Sequence, residues 1–223
     1  SGWGLTFDFI IIHETGHEWF ANNITYKDIA DMWVHEGFTA YSENLYLDYH
    51  YGSEASADYV IGTRKAIMND RPVIGDYGVN HAGSSDMYYK GANMLHTIRT
   101  LIGDDEKWRS ILRGLNKDFY HQTVTTKQIE RYLIEQSGLD LQPVFDQYLR
   151  DTRIPVLACK WEKGKMTYRW EQTIAGFDMP VVLLHKGEAI RLKPDTEWQQ
   201  INLERTDELK VQRDYYVKLQ IEN

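Results

Sequence analysis

Little in this chain points to covalent cross-linking or to lipid. It holds one cysteine, Cys159, in 223 residues, so no disulfide can close within it, and cysteine usage leaves the redox compartment undecided. Its longest purely aliphatic run is Ile10-Ile11-Ile12, far too short to cross a bilayer. Basic charge is in deficit. Lys plus Arg number 25 against 33 Asp plus Glu, a formal net charge of −8, and that balance argues against a nucleic-acid or anionic-membrane partner. Repeats and low-complexity tracts are also missing. What remains is a length sufficient for one large domain or two small ones with real cores.

The texture of the chain changes once. Residues 7–23 form a mostly apolar segment long enough for one helix. Asp28 or Asp31 is placed to cap a second helix that stops at Gly52, and Ser53 to cap a third that ends before Arg71-Pro72. Residues 72–86 are rich in Gly and Ser and read as a loop. Helices follow from Asp86 to Gly103 and over 104–119. Thr125 with Gln128 makes a capping box for a further helix closed by Gly138, and Pro143 opens a last short one. Beyond Arg153-Ile154-Pro155 the pattern alternates, with hairpin signals at Lys163-Gly164 and Lys186-Gly187 and further strands in "WQQINL" and "DYYVKLQIE". The expectation is an α+β chain: an all-α domain over 1–152 and a small antiparallel β-sandwich over 153–223.

One stretch carries three titratable residues in five positions: "IIIHETGHEWF", residues 10–20. Positions i and i+4 of a helix share a face one turn apart, so His13 and His17 can grip one metal ion. Glu14 lies about 100° round from His13 and about 60° from His17, bordering the same cleft. This is the HExxH arrangement of zinc peptidases, with two imidazole ligands and a glutamate that takes a proton from the attacking water. Such a centre needs a third protein ligand and an open position. Glu36, separated from His17 by residues 18–35, supplies it if the chain turns and enters a second helix beside the first. Glu43, seven positions on, shares a face with Glu36 and is placed to hydrogen-bond a ligand imidazole. HExxH with a Glu at that spacing would arise in only about 1 in 1000 shuffled chains of this composition, which disfavours two ordinary helix histidines.

Three segments, "HETGHEWFANNIT", "DMWVHEGFTAYSE" and "MYYKGANMLHTIR", occur in an order that resembles the M1 family of gluzincin metallopeptidases, mostly aminopeptidases. The likeness covers the helical region from about Gly4 to Leu149, and the β-region resembles a sandwich domain that often follows it. The resemblance implies a thermolysin-like catalytic subdomain, one Zn2+ held by His13, His17 and Glu36, and Glu14 as general base and proton shuttle. It also implies a tyrosine in a Y-x-K-G motif, here Tyr88, that stabilises the tetrahedral intermediate; a phenol there suits an oxyanion. Tyr88 and Tyr89 differ by about 100° in direction, so only one should face the metal. His35 stands where many members have asparagine and is read as a non-ligand. Cys159 reads as a small core residue, and His96 as a packing or surface histidine. Asn80, His81 and Asp86 are the polar candidates if the loop 72–86 lines the cleft.

The family also carries a GAMEN-like segment upstream, whose glutamate binds the substrate's α-amine, and an N-terminal β-domain. This chain begins 12 residues before His13 and contains neither, so the expectation is the C-terminal part of a larger enzyme, with apolar surface near residues 7–12 exposed and weak aminopeptidase activity, or none, on its own. The partners expected are a peptide with a free N-terminus and the enzyme's own N-terminal domain, with no nucleic acid and no membrane segment. Two other functions compete: an M1 relative that opens an epoxide in the same site, and a non-catalytic interaction module that retains the fold.

Overall fold

The computed structural model describes residues 2–162 and 164–222. The chain forms two compact units that meet in sequence between Thr152 and Arg153. Among the described residues no helix is long and apolar enough to cross a membrane.

The first unit is built on α1 (Phe9–Gly16), α2 (Trp33–Tyr51), α3 (Ser53–Thr63), α4 (Tyr89–Ile102), α5 (Asp105–Asp118), α6 (Thr126–Ser137) and the single-turn α7 (Gln142–Phe145). Local chemistry sets most of the ends. Asp8 caps α1 by accepting from Ile11 N–H, and Asp104 caps α5 by accepting from Lys107 N–H. The capping box of Thr125 and Gln128 is present, and Gly103 and Gly138 close α4 and α6 in the left-handed conformation. The core holds Trp33, Phe38, Tyr41, Leu47, Trp108 and Phe145. Its buried polar edges are satisfied: Trp33 Nε1–H donates to Thr126 Oγ1 at 2.7 Å and Trp108 Nε1–H to the Tyr41 hydroxyl at 3.2 Å. Ile10 and Ile11, by contrast, are more than half exposed.

Two departures from the expected architecture occur here. The helix expected over 7–23 ends at Gly16; a looser turn follows, in which Phe20 (φ −119°, ψ 65°) and Ala21 (φ 170°, ψ −60°) leave helical geometry. The bend buries Phe20 and stacks its ring on Phe38 at 4.8 Å, a tertiary contact that overrides local periodicity. Nor is the unit all-α. β1 (Ile24–Tyr26) pairs in parallel with β2 (Gln122–Val124), and three-residue strands so far apart in sequence leave no period to read.

Glycines set the spacing of the three helices that matter. A Cβ on Gly16 of α1 would meet Thr39 Cγ2 of α2 at 3.0 Å and Ser42 Cβ at 3.2 Å. A Cβ on Gly91 of α4 would meet Gly37 Cα at 3.0 Å, and one on Gly37 would meet Met87 O at 3.0 Å. α2 is thereby clasped on one side by α1 and on another by α4. Just beside this crossing Lys90 is buried, and its ammonium donates to the Asp151 carbonyl at 2.9 Å. Burial holds its pKa down at about 8 against the pull of Asp86, Asp151 and Asp70.

The second unit has two sheets. In the first, β3 (Val156–Glu162) and β4 (Lys165–Glu171) pair antiparallel, β7 (Gln199–Ile201) lies beyond β4, and β9 (Lys218–Ile221) beyond β3. In the second, β5 (Val181–His185) lies between β6 (Glu188–Leu192) and β8 (Leu209–Val211). Side chains alternate between buried and part-exposed along β4 and β5. Lys186 and Gly187 both take positive φ, 51° and 84°, the signature of a two-residue type I′ hairpin. At the other hairpin signal Gly164 has φ 78°, while Lys163 lies outside the described residues. The sheets are not purely antiparallel, because β9 runs parallel to β3. It reaches the first sheet from β8 of the second, not through a hairpin, so nothing constrains it to reverse direction. Cys159 is buried in β3, and burial pushes its thiol up to about 12, which keeps it inert.

Gly37→Ala tests the helix crossing. Alanine is the better helix former by about 1 kcal/mol, but the clash is with backbone that cannot rotate away, so a net loss of roughly 1–3 kcal/mol is expected in urea unfolding. An unchanged or raised midpoint would mean that the helices do not set one another's spacing.

Candidate metal centre

His13 and His17 project from α1 and its C-terminal edge, and Glu36 from the first turn of α2. The Gly16 contact draws the helices close enough for the side chains to meet. His13 Nε2 lies 3.3 Å and His17 Nε2 3.6 Å from the same oxygen, Glu36 Oε2. One donor atom from each of the three residues falls within 4.8 Å of the others. A tetrahedral centre with bonds of about 2.0–2.1 Å holds its ligand atoms about 3.4 Å apart, so the donor set and its spacing fit a single divalent cation.

The outer ring nitrogens are held by different means. His13 Nδ1 lies 2.8 Å from Glu43 Oε1, and Glu43 is 2% exposed. His17 Nδ1 lies 3.2 Å from the Phe20 carbonyl and 3.2 Å from Thr39 Oγ1. A carbonyl and an ionised carboxylate only accept, so Nδ1 carries a proton in both rings, which leaves Nε2 as the nitrogen each neutral ring can offer to a cation. The break in α1 is what delivers the Phe20 carbonyl.

The electrostatics call for positive charge. Burial draws the His13 imidazolium pKa down, yet hydrogen bonds and charge from Glu36 and Glu43 outweigh it and raise the pKa to about 9. A cation at the shared point satisfies the same carboxylates that otherwise hold this proton.

Around the cluster, Tyr88 stands immediately before α4 with its ring stacked on His13 at 5.9 Å. Burial and the neighbouring carboxylates Glu36 and Glu14 raise its phenol pKa, so it stays a hydrogen-bond donor. Glu14 is exposed and lines a cavity of about 180 Å³ with Phe9, Ile10, His13, Glu43, Tyr88 and Tyr89. Tyr89 also borders a second cavity of about 190 Å³ beside Tyr59 and Gly62.

Other sequence candidates lie elsewhere. His35 turns toward β1: its Nε2 accepts from Tyr26 N–H at 3.0 Å, its ring sits 4.2 Å from the Tyr26 ring, and burial lowers its pKa to about 4. Asp86 is buried and accepts from the backbone N–H groups of Met68 and Asn69, a structural task. His81 pairs with Asp76 at 2.8 Å on the surface, and Asn80 is exposed at φ 48°. None of these three borders the cavity beside the cluster. His96 is buried within α4. Sequence reasoning missed Tyr59, whose hydroxyl donates to Glu43 Oε2 and which lies in none of the three segments, and Thr39, which lies inside the second of them. It also missed Gly16, although a glycine inside HETGH was a signal of close helix approach.

Known proteins resemble this chain in both sequence and fold. The sequence profile of the peptidase family M1 domain matches residues 6–148. Aminopeptidase M1-A of Oryza sativa subsp. japonica is 23% identical over 176 residues, covering 74% of this chain and 20% of the relative. Alanine/arginine aminopeptidase of Saccharomyces cerevisiae is 26% identical over 169 residues, covering 71% and 20%. Leukotriene A-4 hydrolase of Xenopus laevis is 27% identical over 137 residues, covering 56% and 22%. The crystal structure of Legionella pneumophila aminopeptidase A in complex with aspartic acid shares the fold at a TM-score of 0.70 and 15% identity, over 96% of this chain and 27% of that one. The chain thus spans about a fifth of the length of the curated relatives it matches. With the profile running from ahead of α1 to the last helix of the first unit, this chain belongs to peptidase family M1.

Proposed function

We propose that the chain carries the zinc centre of an aminopeptidase, a hydrolase that releases N-terminal residues from peptides. The observation that carries this reading is the convergence of His13 Nε2 and His17 Nε2 on Glu36 Oε2 at 3.3 and 3.6 Å, with Glu14 and Tyr88 lining the adjoining cavity. Because the matched relatives are about five times longer than their aligned segments, the activity proposed is that of the whole protein.

Zinc in this centre supplies Lewis acidity, polarising a carbonyl and acidifying water. The chain's own residues do the rest. Glu14, exposed at the cavity wall, accepts a proton from the attacking water and returns it to the departing amine. Tyr88, kept protonated by burial and by Glu36 and Glu14, donates a hydrogen bond to the oxyanion that develops as the carbonyl is attacked. Glu43 and the Phe20 carbonyl hold the two imidazoles in the tautomer that offers Nε2. A second reading, opening of an epoxide in the same site, draws on the similarity to a leukotriene A-4 hydrolase. Assays of amino-acid amides against epoxides on the whole protein decide between them. A non-catalytic module is disfavoured, since the ligands and Glu14 are all retained.

Glu14→Gln should keep zinc at near-unchanged affinity and lose turnover by about 10²- to 10⁴-fold, whereas His17→Ala should lose both; near-normal rates for Glu14→Gln in the whole protein would overturn the base assignment.

The pH dependence of zinc uptake is a second check. His13 holds its proton up to about pH 9 in the metal-free protein, and zinc must displace it. Affinity measured by chelator competition should therefore climb about tenfold per pH unit below 9 and level off above. A flat profile between pH 7 and 9 would contradict His13 as a ligand.

A further inference from the structure

We propose that Tyr59 is a positioning residue for the metal centre, acting through Glu43 on the ligand His13. This rests on the reading of His13, His17 and Glu36 as a zinc site and extends it to α3, a helix that contributes nothing to the cluster itself.

Glu43 is a carboxylate taken almost wholly out of water, and such a group is tolerable only when its oxygens find donors. It has one donor for each: His13 Nδ1–H on Oε1 at 2.8 Å, and the Tyr59 hydroxyl on Oε2. With both oxygens engaged, the carboxylate plane cannot turn. The hydrogen bond to His13 is fixed in length and direction, and so is the direction of the Nε2 lone pair on the far side of the ring. Tyr59 is itself well held. It is buried in α3, and the Phe7 ring packs edge-on against it at 5.4 Å. Burial and the charge of Glu43 keep its phenol protonated, so it remains a donor. Phe9 and Tyr89 line both cavities, and Tyr59 lines the one that His13 and Glu14 do not border. Tyr59 therefore engages the Glu43 oxygen that His13 does not use, and acts on the imidazole through the carboxylate.

Tyr59→Phe removes only the hydroxyl and keeps the ring packing. It leaves Glu43 Oε2 buried without its donor, and the carboxylate is then free to rotate. That weakens its hold on His13. The test is zinc affinity, read by chelator competition at constant pH, on the whole 223-residue chain as wild type, Tyr59→Phe, Glu43→Gln and the double variant. The expected result is an affinity about 3- to 10-fold lower for Tyr59→Phe, a modest share of the 10- to 100-fold typical when a partner of a ligand histidine is removed. Within the Glu43→Gln background the same substitution should change affinity by less than about twofold, because its route is gone. A tyrosine that merely supports the fold would lower the unfolding midpoints of metal-free and zinc-loaded protein equally; a positioning one lowers the loaded form more. Equal effects in both Glu43 backgrounds, or an unchanged affinity, would overturn the assignment to Tyr59 while leaving the zinc centre intact. Failure of the wild-type chain to bind zinc would sink the centre itself, and this inference with it.

Discussion

The candidate centre exists because three helices are allowed to come unusually close. Gly16 has no side chain to hold α1 off Thr39 and Ser42, and Gly37 and Gly91 let α2 and α4 meet backbone to backbone. Interiors pack at nearly crystalline density, so an added methyl at such a contact displaces a helix and not merely a rotamer. A shift of several tenths of an ångström matters here, since two imidazole nitrogens must share one carboxylate oxygen at 3.3 and 3.6 Å. The glycines are each next to or near a functional residue in sequence: Gly16 lies between His13 and His17, Gly37 follows Glu36, and Gly91 lies three residues past Tyr88. The contact that sets each helix's depth is thus within a turn of the side chain whose position it governs.

Close approach brings a cost that the electrostatics then answer. Glu36 and Glu43 are both driven into the interior by the packing of α2, and two buried carboxylates on one helix face repel each other and lose hydration. Their compensation comes from α1. His13 lies between them, 3.3 Å from one and 2.8 Å from the other, and in the metal-free protein it is driven toward the charged form. The site is therefore organised around a positive charge before any cation arrives. The proton on His13 and a divalent ion are alternative occupants of one field, which is why pH and metal affinity are linked there.

Much of this could be read in advance, and the reason is period. A metal motif written at i and i+4, and a second helix whose residues 36 and 43 share a face, depend only on helical geometry. Helix ends were legible where a single residue type decides them, as with the Thr125–Gln128 box and Gly103 and Gly138. The failures share a cause too. The parallel pairing of β1 with β2, the parallel entry of β9, the bend at Phe20 and the Tyr59–Glu43 bond are all tertiary choices made between segments that carry no mutual signal. The loop 72–86 has polar residues with structural work of their own. Asp86 accepts from the backbone N–H groups of Met68 and Asn69, and His81 pairs with Asp76.

The bend after His17 deserves a place beside the glycines in this account. A helix continued through 23 would keep the Phe20 carbonyl in its own ladder, directed along the axis toward residue 24. Leaving the helix at Phe20 turns that carbonyl back onto His17 Nδ1, and burying the Phe20 ring against Phe38 stabilises the turn. The two imidazoles are consequently oriented by unlike groups, one by a buried anion and one by a neutral dipole. Glu43 places negative charge behind His13; the Phe20 carbonyl orients His17 as a neutral dipole and adds no further carboxylate to Glu14, Glu36 and Glu43. The break in the helix is thus the structural means by which the second ring is oriented without a further charge at the cluster.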